Sequence, residues 1–399
     1  MIPLDTLRAD TPGTHHVVHF NNAGASLMPT PVIEAITSHL LLEAETGGYE
    51  AADLRRDAIR GFYTATADLL NTKPDNIAAT ANATDAYARA LSAIPFERGD
   101  VILTTTNDYV SNQIAFLSLQ KRFGINIVRA EDDAKGGVLV DDMAAKIGLL
   151  RPRLVAVTHV PTNSGLVQPV ETIGTICRQH DVLYLVDACQ SVGQLPVDVA
   201  RIQCDFLTAT CRKFLRGPRG MGFLYVSDKV LLEGYAPLFI DLHGASWESA
   251  TEFRPVPTAL RFEDWEFPYA LVLGAAEAHR YALNVGIENI ACRNDELCAR
   301  LRRQLSALPG VARSGIRLLD EGEHLSSIIT LFSERKPAGT IKAALSAERI
   351  NTSLSPHGAA ILDYGRKGMT TTALRISPHY YNTEMEIDTL ADALERILA

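Results

Sequence analysis

Lys213 stands in the stretch TATCRKFLRGPRGMGFLYV (208–226). Gly217, Pro218, Gly220 and Gly222 follow it, and then an apolar run. Most lysines lie in solvent; one placed ahead of a rigid turn at a sheet edge is held in place. Asp187 ends LYLVD behind four apolar residues, so its carboxylate needs a cationic or hydrogen-bonding partner. Taken alone, such an aspartate serves a helix cap or a structural ion pair. The two residues lie 26 positions apart, one strand–helix–strand step. A fixed amine and a buried carboxylate at sheet ends suit one cofactor well. Pyridoxal phosphate needs a lysine for its Schiff base and an aspartate against its pyridinium nitrogen. The freed lysine can then move the α-proton of an amino acid.

The elements that must position these residues follow from the apolar pattern. PTPVIEAITSHLLLEAE (29–45) has helical spacing, and YEAADLRRDAIRGFYTATADLLN (49–71) reads as a second amphipathic helix. Short apolar runs then begin at Val101, Leu154, Val182 and Gly222. Continuous Val, Ile and Leu runs between helical stretches indicate buried strands of a mainly parallel sheet with helices on both faces. Ligands of such α/β sheets sit beyond the carboxyl ends of the strands. After about residue 260 the pattern changes to two long helices, with a turn at Gly286 and the second reaching Leu308. SSIITLF, KPAGTIKAALSAERI, TALRIS and a final helix in NTEMEIDTLADALERIL follow. We expect an N-terminal segment (1–20) packing near the smaller domain, a large α/β domain (21–262) and a smaller α+β domain (263–399).

Composition narrows the partners. The 399 residues are 47% hydrophobic and 21% charged, with a net charge of −9. That balance argues against nucleic acid or an anionic membrane as partner. The six cysteines form no CxxC pair and no Cys/His cluster with metal spacing, so no metal is expected and the thiols read as scattered and buried. The chain shows neither a secretion-signal pattern nor an apolar run of membrane-spanning length, and a cytoplasmic location is the expectation.

Several motifs, in order along nearly the whole chain, resemble the class V aminotransferase-like enzymes of fold-type I. The group includes cysteine desulfurases, selenocysteine lyases and isopenicillin N epimerase. HFNNAGASLMP (19–29) is similar to the segment near the active site, which implies substrate contacts from Asn22 and Gly24. ANATDAY (81–87) resembles the phosphate-holding turn, with Ala83 and Thr84 as the contacts. TTNDYVSN (105–112) places Tyr109 where the family has a ring-stacking histidine. HVPTNSGLVQPV (159–170) resembles a strand end supplying a polar contact, from Thr162 or Asn163. VDACQSVGQLPVDV (186–199) gives Asp187 for the ring nitrogen and Gln190 for the phenolic oxygen. TATCRK resembles the Ser-x-His-Lys motif, so Lys213 is the implied Schiff-base lysine, with Thr210 and Arg212 on the phosphate. Arginine for histidine fixes the positive charge there. Arg375, in TALRISPHYYNTEMEIDTL, falls where the family binds the substrate carboxylate. The resemblance also implies a homodimer and an amino acid substrate.

Departures from the family narrow the reaction. The family's desulfurases carry a loop cysteine shortly before the arginine segment; NTSLSPHGAAILDYGRKGMT (351–370) has none. Trp265 and Glu266 replace a Gly-Thr that in many relatives reaches the neighbouring subunit's phosphate. The preferred reading is a β-eliminating C–S lyase on a cysteine-type or S-conjugated amino acid, needing no persulfide-forming cysteine. An epimerase or aminotransferase is the alternative, with Tyr109 and His357 as candidate second acids. A non-catalytic protein retaining the fold is a third reading, opposed by the intact Lys213, Asp187 and Gln190. His15, His16 and His379 show no ligand spacing, and His243 lies in a loop expected to flank the site. Arg216 and Arg219 read as solvated turn residues rather than as anion selectors.

Overall fold

The computed structural model describes residues 3–307 and 315–398; Leu308, the expected end of the second long helix, lies outside them. Seven strands form the central sheet. They are β1 (Ile77–Thr80), β2 (Val101–Thr104), β3 (Asn126–Arg129), β4 (Leu154–Thr158), β5 (Leu183–Asp187), β6 (Phe206–Thr210) and β7 (Gly222–Val226). Their order is β1-β7-β6-β5-β4-β2-β3, and β7 runs against both of its neighbours while the other contacts are parallel. The sheet is thus mainly parallel, as the apolar runs indicate. The antiparallel strand is the glycine-led one that follows Lys213. Strands β4 to β7 are buried along their whole length, which accounts for their largely apolar sequences.

Two of the strands carry no strong sequence signal. β1 is IAAT, and alanine is a poor strand former. β3 is NIVR, an edge strand that is only partly buried.

The helices that frame the site are α1 (Thr30–Thr46), α2 (Gly48–Leu54), α3 (Arg56–Leu70), α4 (Ala83–Ala93), α5 (Val110–Phe123), α6 (Tyr269–Val285), α7 (Ile287–Ala307) and α8 (Glu384–Leu398). The expected single helix over 49–71 is two helices, broken at Arg55. Residues 53–57 are all exposed there, so no apolar stripe holds one rod across the break. α6 falls within the range expected for the smaller domain (263–399). It packs against α1 and α3, and its Val272, Ala275 and Ala276 join the core that contains Val155, Val186 and Leu207 of the sheet.

A second sheet, of β8 (Ile316–Leu318), β9 (Ile329–Ser333), β10 (Ser353–Ser355) and β11 (Ala373–Ile376), is antiparallel in the order β8-β9-β11-β10. It shares a core with α7 and α8. The N-terminal residues Val18–His19 pair in parallel with Ile350–Asn351, and Phe20 enters this smaller core. No described helix is long and apolar enough to cross a membrane.

Candidate active site

The strand order sets β2, β4, β5 and β6 side by side, and the polar residue ending each one faces the same end of the sheet. These residues are Thr104, Thr158, Asp187 and Thr210, with Asp187 directly opposite Thr158 in register. A cavity of about 320 Å³ opens there. Its walls include Ala83, Thr84, Tyr109, Thr162, Asp187, Gln190, Thr210, Arg212 and Lys213. Nine of the residues singled out from sequence therefore share one cavity, although they come from five separate stretches of chain.

Lys213 follows β6 in a tight turn, in which the Arg216 N–H donates to the Lys213 carbonyl at 2.9 Å and the Gly217 N–H to the Cys211 carbonyl at 2.8 Å. The lysine is buried, and burial pushes its pKa down. A buried amine leans toward its neutral form, which is the form that acts as nucleophile and base. Asp187 is also buried. Its Oδ1 accepts the Cys189 N–H at 3.0 Å and its Oδ2 accepts Asn112 Nδ2 at 3.0 Å.

Also on the cavity wall, α4 begins at Ala83 with Asn82 as its cap, whose side chain accepts the Asp85 N–H at 3.0 Å. The first N–H groups of a helix have no partner within it, so this end favours an anion. Gly222 makes the close approach possible. A Cβ there would sit 2.8 Å from the Asn82 carbonyl carbon and 2.9 Å from the Ala83 nitrogen. Arg212 donates to the Gly24 carbonyl; burial and the neighbouring Arg219 push its pKa down. The Thr210 hydroxyl donates to the Met221 carbonyl at 3.2 Å.

Gln190 Nε2 donates to the Ala23 carbonyl at 3.1 Å and to Thr162 Oγ1 at 3.0 Å, while its Oε1 is buried without a partner. Arg375, on β11, donates to the Thr162 carbonyl at 3.1 Å, to the Thr162 hydroxyl and to Ser353 Oγ at 3.2 Å. Its Nε is buried and unpartnered. Arg375 therefore reaches the site through Thr162 rather than as part of the cavity wall.

The choice between Thr162 and Asn163 resolves in favour of Thr162 as the wall residue. Asn163 turns away, with its Nδ2 donating to Asp363 at 2.8 Å. Asn22 is also turned away. It accepts from the Tyr381 hydroxyl at 2.5 Å and donates to the Ser377 carbonyl at 2.7 Å. Gly24 meets the site through Arg212.

Arg216 corrects the sequence reading outright. It is buried, with 1% exposure, and donates to the Leu27 carbonyl, the Tyr380 hydroxyl and Thr11. Its guanidinium lies 4.5 Å from the Tyr381 ring centre. Arg219 is exposed, as a turn residue should be, yet it lines the cavity. His243 instead meets the buried Glu263 at 3.5 Å, and His379 is buried against the Phe214 carbonyl at 2.8 Å. Neither residue lines the cavity, and nor does His357.

Sequence reasoning missed Asn112, Thr158 and Cys189, all of which line the cavity. Cys189 sits between Asp187 and Gln190 in the chain, so it could have been found from that motif. Burial and the Asp187 charge push its thiol pKa up. The donor set fits pyridoxal phosphate: an amine, a carboxylate, an anion-ready helix start, and unmet buried polar atoms on Gln190 and Arg375.

Fold and site together define a pyridoxal-phosphate enzyme of fold-type I. A model of the aminotransferase class-V family matches residues 18–390, and the chain belongs to that family. It is similar to a probable cysteine desulfurase of Pyrococcus abyssi, with 28% identity over 100% of this chain and 98% of the relative. A cysteine desulfurase of Synechococcus elongatus is 27% identical over 96% of this chain and 60% of its own length. The fold matches the apo structure of a cysteine desulfurase from Thermococcus onnurineus NA1 at a TM-score of 0.90 and 24% identity, covering 100% of this chain and 98% of that one. It also matches the cystine C–S lyase C-DES in complex with its product cysteine persulfide, at a TM-score of 0.84 and 25% identity, covering 96% and 99%. The protein is a pyridoxal-phosphate-dependent enzyme of the lyase type.

Proposed function

We propose that the protein is a β-eliminating C–S lyase for cysteine or its S-conjugates, working without a persulfide on its own chain. The observation that carries this reading is the state of the thiols around the cavity. Residues 351–370 contain no cysteine. The one cysteine on the cavity wall, Cys189, has its thiol pKa pushed up by burial and by the Asp187 charge, which disfavours the thiolate. The thiolate is the nucleophile in sulfur transfer, so this thiol is poorly suited to attack substrate sulfur. The relatives named as desulfurases and the cystine lyase C-DES support sulfur-bearing substrates.

Pyridoxal phosphate, when bound, supplies the aldehyde that takes up the substrate amine and the ring that accepts the electron pair released at Cα. The remaining work falls to the chain. The start of α4, Thr84, Thr210 and Arg212 would hold the phosphate. Asp187 would hold the proton on the ring nitrogen, Gln190 would bond the phenolic oxygen, and Tyr109 would stack on the ring. Arg375 would pair with the substrate carboxylate. Lys213 would take the α-proton on Nζ, and the Cβ–S bond then breaks with its electron pair leaving on sulfur. We also propose a cytoplasmic homodimer. Exposed apolar side chains on α1 and α2, among them Leu40, Leu41, Tyr49 and Leu54, support the dimer, as do Phe239, Leu242, Trp247 and Trp265.

The test is to assay pyruvate, ammonia and sulfide from L-cysteine, L-cystine and S-conjugates. Lys213→Ala should abolish both the visible cofactor band and turnover, by at least about 10²-fold. Cys189→Ser should keep pyruvate formation near the wild-type rate. Solvent deuterium entering Cα without pyruvate would overturn elimination in favour of epimerase or aminotransferase chemistry.

A further inference from the structure

We propose that Asp108, acting through Asn112 and Thr158, is the positioning residue that fixes both Asp187 and Tyr109. This rests on the cofactor assignment and not on the elimination reading. Asp108 lies just ahead of α5 and is buried, with 7% exposure. A carboxylate at that depth costs stability unless it is well bonded. Five donors meet it. The Tyr109 N–H at 2.7 Å, Asn112 Nδ2 at 3.2 Å and the Thr158 hydroxyl serve Oδ1. Gln113 Nε2 at 2.7 Å and the Thr104 hydroxyl at 3.3 Å serve Oδ2. Among the described residues no cation pairs with it. Beyond Gln113 the chain of bonds ends on Arg129, which donates to Gln113 Oε1 at 2.6 Å.

The network leads to the cofactor site at two points. Asn112 Nδ2, besides meeting Asp108 and Thr158 Oγ1 (3.3 Å), donates to Asp187 Oδ2 at 3.0 Å. The Asp108 carboxylate also fixes the backbone of Tyr109. The geometry has a clear cause in the sheet. β2, β4 and β5 are adjacent, so Thr104, Thr158 and Asp187 end side by side, and the first turn of α5 lies over them. With Cys189 N–H on Oδ1 and Asn112 on Oδ2, the Asp187 carboxylate has little freedom to rotate. It keeps lone pairs for a partner in the cavity. A fixed carboxylate is worth more to a ring nitrogen than a mobile one, because it needs no reorganisation when the reaction moves charge.

The experiment uses the full-length protein loaded with pyridoxal phosphate, without substrate. Absorbance of the bound cofactor is followed from pH 6 to 10, and cofactor affinity is measured by titration. Asn112→Ala and Thr158→Val should each weaken cofactor binding roughly tenfold or more. They should also move the midpoint of the visible-band titration by about half a unit or more. Thr158→Ser, which keeps the hydroxyl, should restore both. Asp108→Asn should show the same changes. If Asp108→Asn does not fold, Asn112→Ala and Thr158→Val decide the question. Variants with lowered melting temperature but unchanged band titration and affinity would show a role in folding only, and would overturn the proposal.

Discussion

Arg375 shows how a single buried charge is prepared for a ligand. Burial pushes its pKa down to about 10, because desolvation disfavours the charged guanidinium, and an anion beside it would offset that cost. Three of its bonds go to neutral acceptors on Thr162 and Ser353, and its Nε has none. A substrate carboxylate would meet both demands. Arg375→Leu should therefore raise KM for the amino acid by about tenfold to a hundredfold, the worth of a charge-assisted bond. Steady-state kinetics across a substrate series checks this; an unchanged KM would remove Arg375 from the substrate site. Burial lowers the pKa of Lys213 as well. Its lowered pKa means that the folded protein carries a cost for its charged form at neutral pH, and that cost falls as pH rises toward the ordinary lysine range.

At the scale of elements, strand β7 and helix α4 depend on one missing side chain. A Cβ on residue 222 would lie 2.7 Å from the Ala209 carbonyl oxygen as well as against Asn82 and Ala83. Gly222→Ala should cost about 1–3 kcal/mol and weaken cofactor binding, because the displaced backbone is the phosphate end of the cavity. Chemical denaturation and cofactor titration read the two effects separately. Helix α8 offers a pH-dependent case. Its first residue, Glu384, bonds Arg293 at 2.5 and 3.1 Å, and that bond holds its pKa down at about 2. A lowered carboxylate pKa gives stability that is present above the ordinary glutamate range and is lost as pH falls toward the folded value. The Glu384 side chain is half exposed, so solvent screening limits the gain to at most about 1 kcal/mol. Glu384→Gln should be less stable than wild type by that amount at pH 7, and the difference should shrink steadily below about pH 4. Urea unfolding at pH 7 and pH 3 measures it.

For the molecule as a whole, the prominent exposed feature is apolar. Phe239, Trp247 and Trp265 are 86%, 84% and 52% exposed, and Tyr49 and Leu54 on α2 are 68% and 69% exposed. Isolated surface apolar residues need no explanation, but a cluster of large ones marks an interface. Tyr49 and Trp265 line the same surface depression. We expect a dimer by sedimentation equilibrium. Phe239→Asp combined with Trp265→Glu should weaken association by at least about tenfold. A monomeric wild-type protein at micromolar concentration would contradict the expectation.

Local chemistry made much of this protein legible from its residues alone. The apolar runs of β4, β5 and β7 announced themselves because a strand buried on both faces is largely apolar. Lys213 and Asp187 were legible because each combines a residue type with a position near a strand end, and Gln190 only through the resemblance of VDACQSVGQLPVDV to a family motif. Tertiary packing decided the rest. Arg216 looks like a turn residue in sequence, yet the fold closes Tyr380 and Tyr381 over it from more than 160 positions away. Asn163 and Thr162 are adjacent and equally polar, and the turn that follows β4 sends one to the cavity and the other to Asp363. Asn112 and Asp108 reveal nothing by type or spacing, since their value lies in bonds to residues 46 to 75 positions away, such as Thr158 and Asp187. Side chains that act by their own chemistry can be read along the chain. Those that act by holding another side chain can be read only where the folded backbone brings the two together.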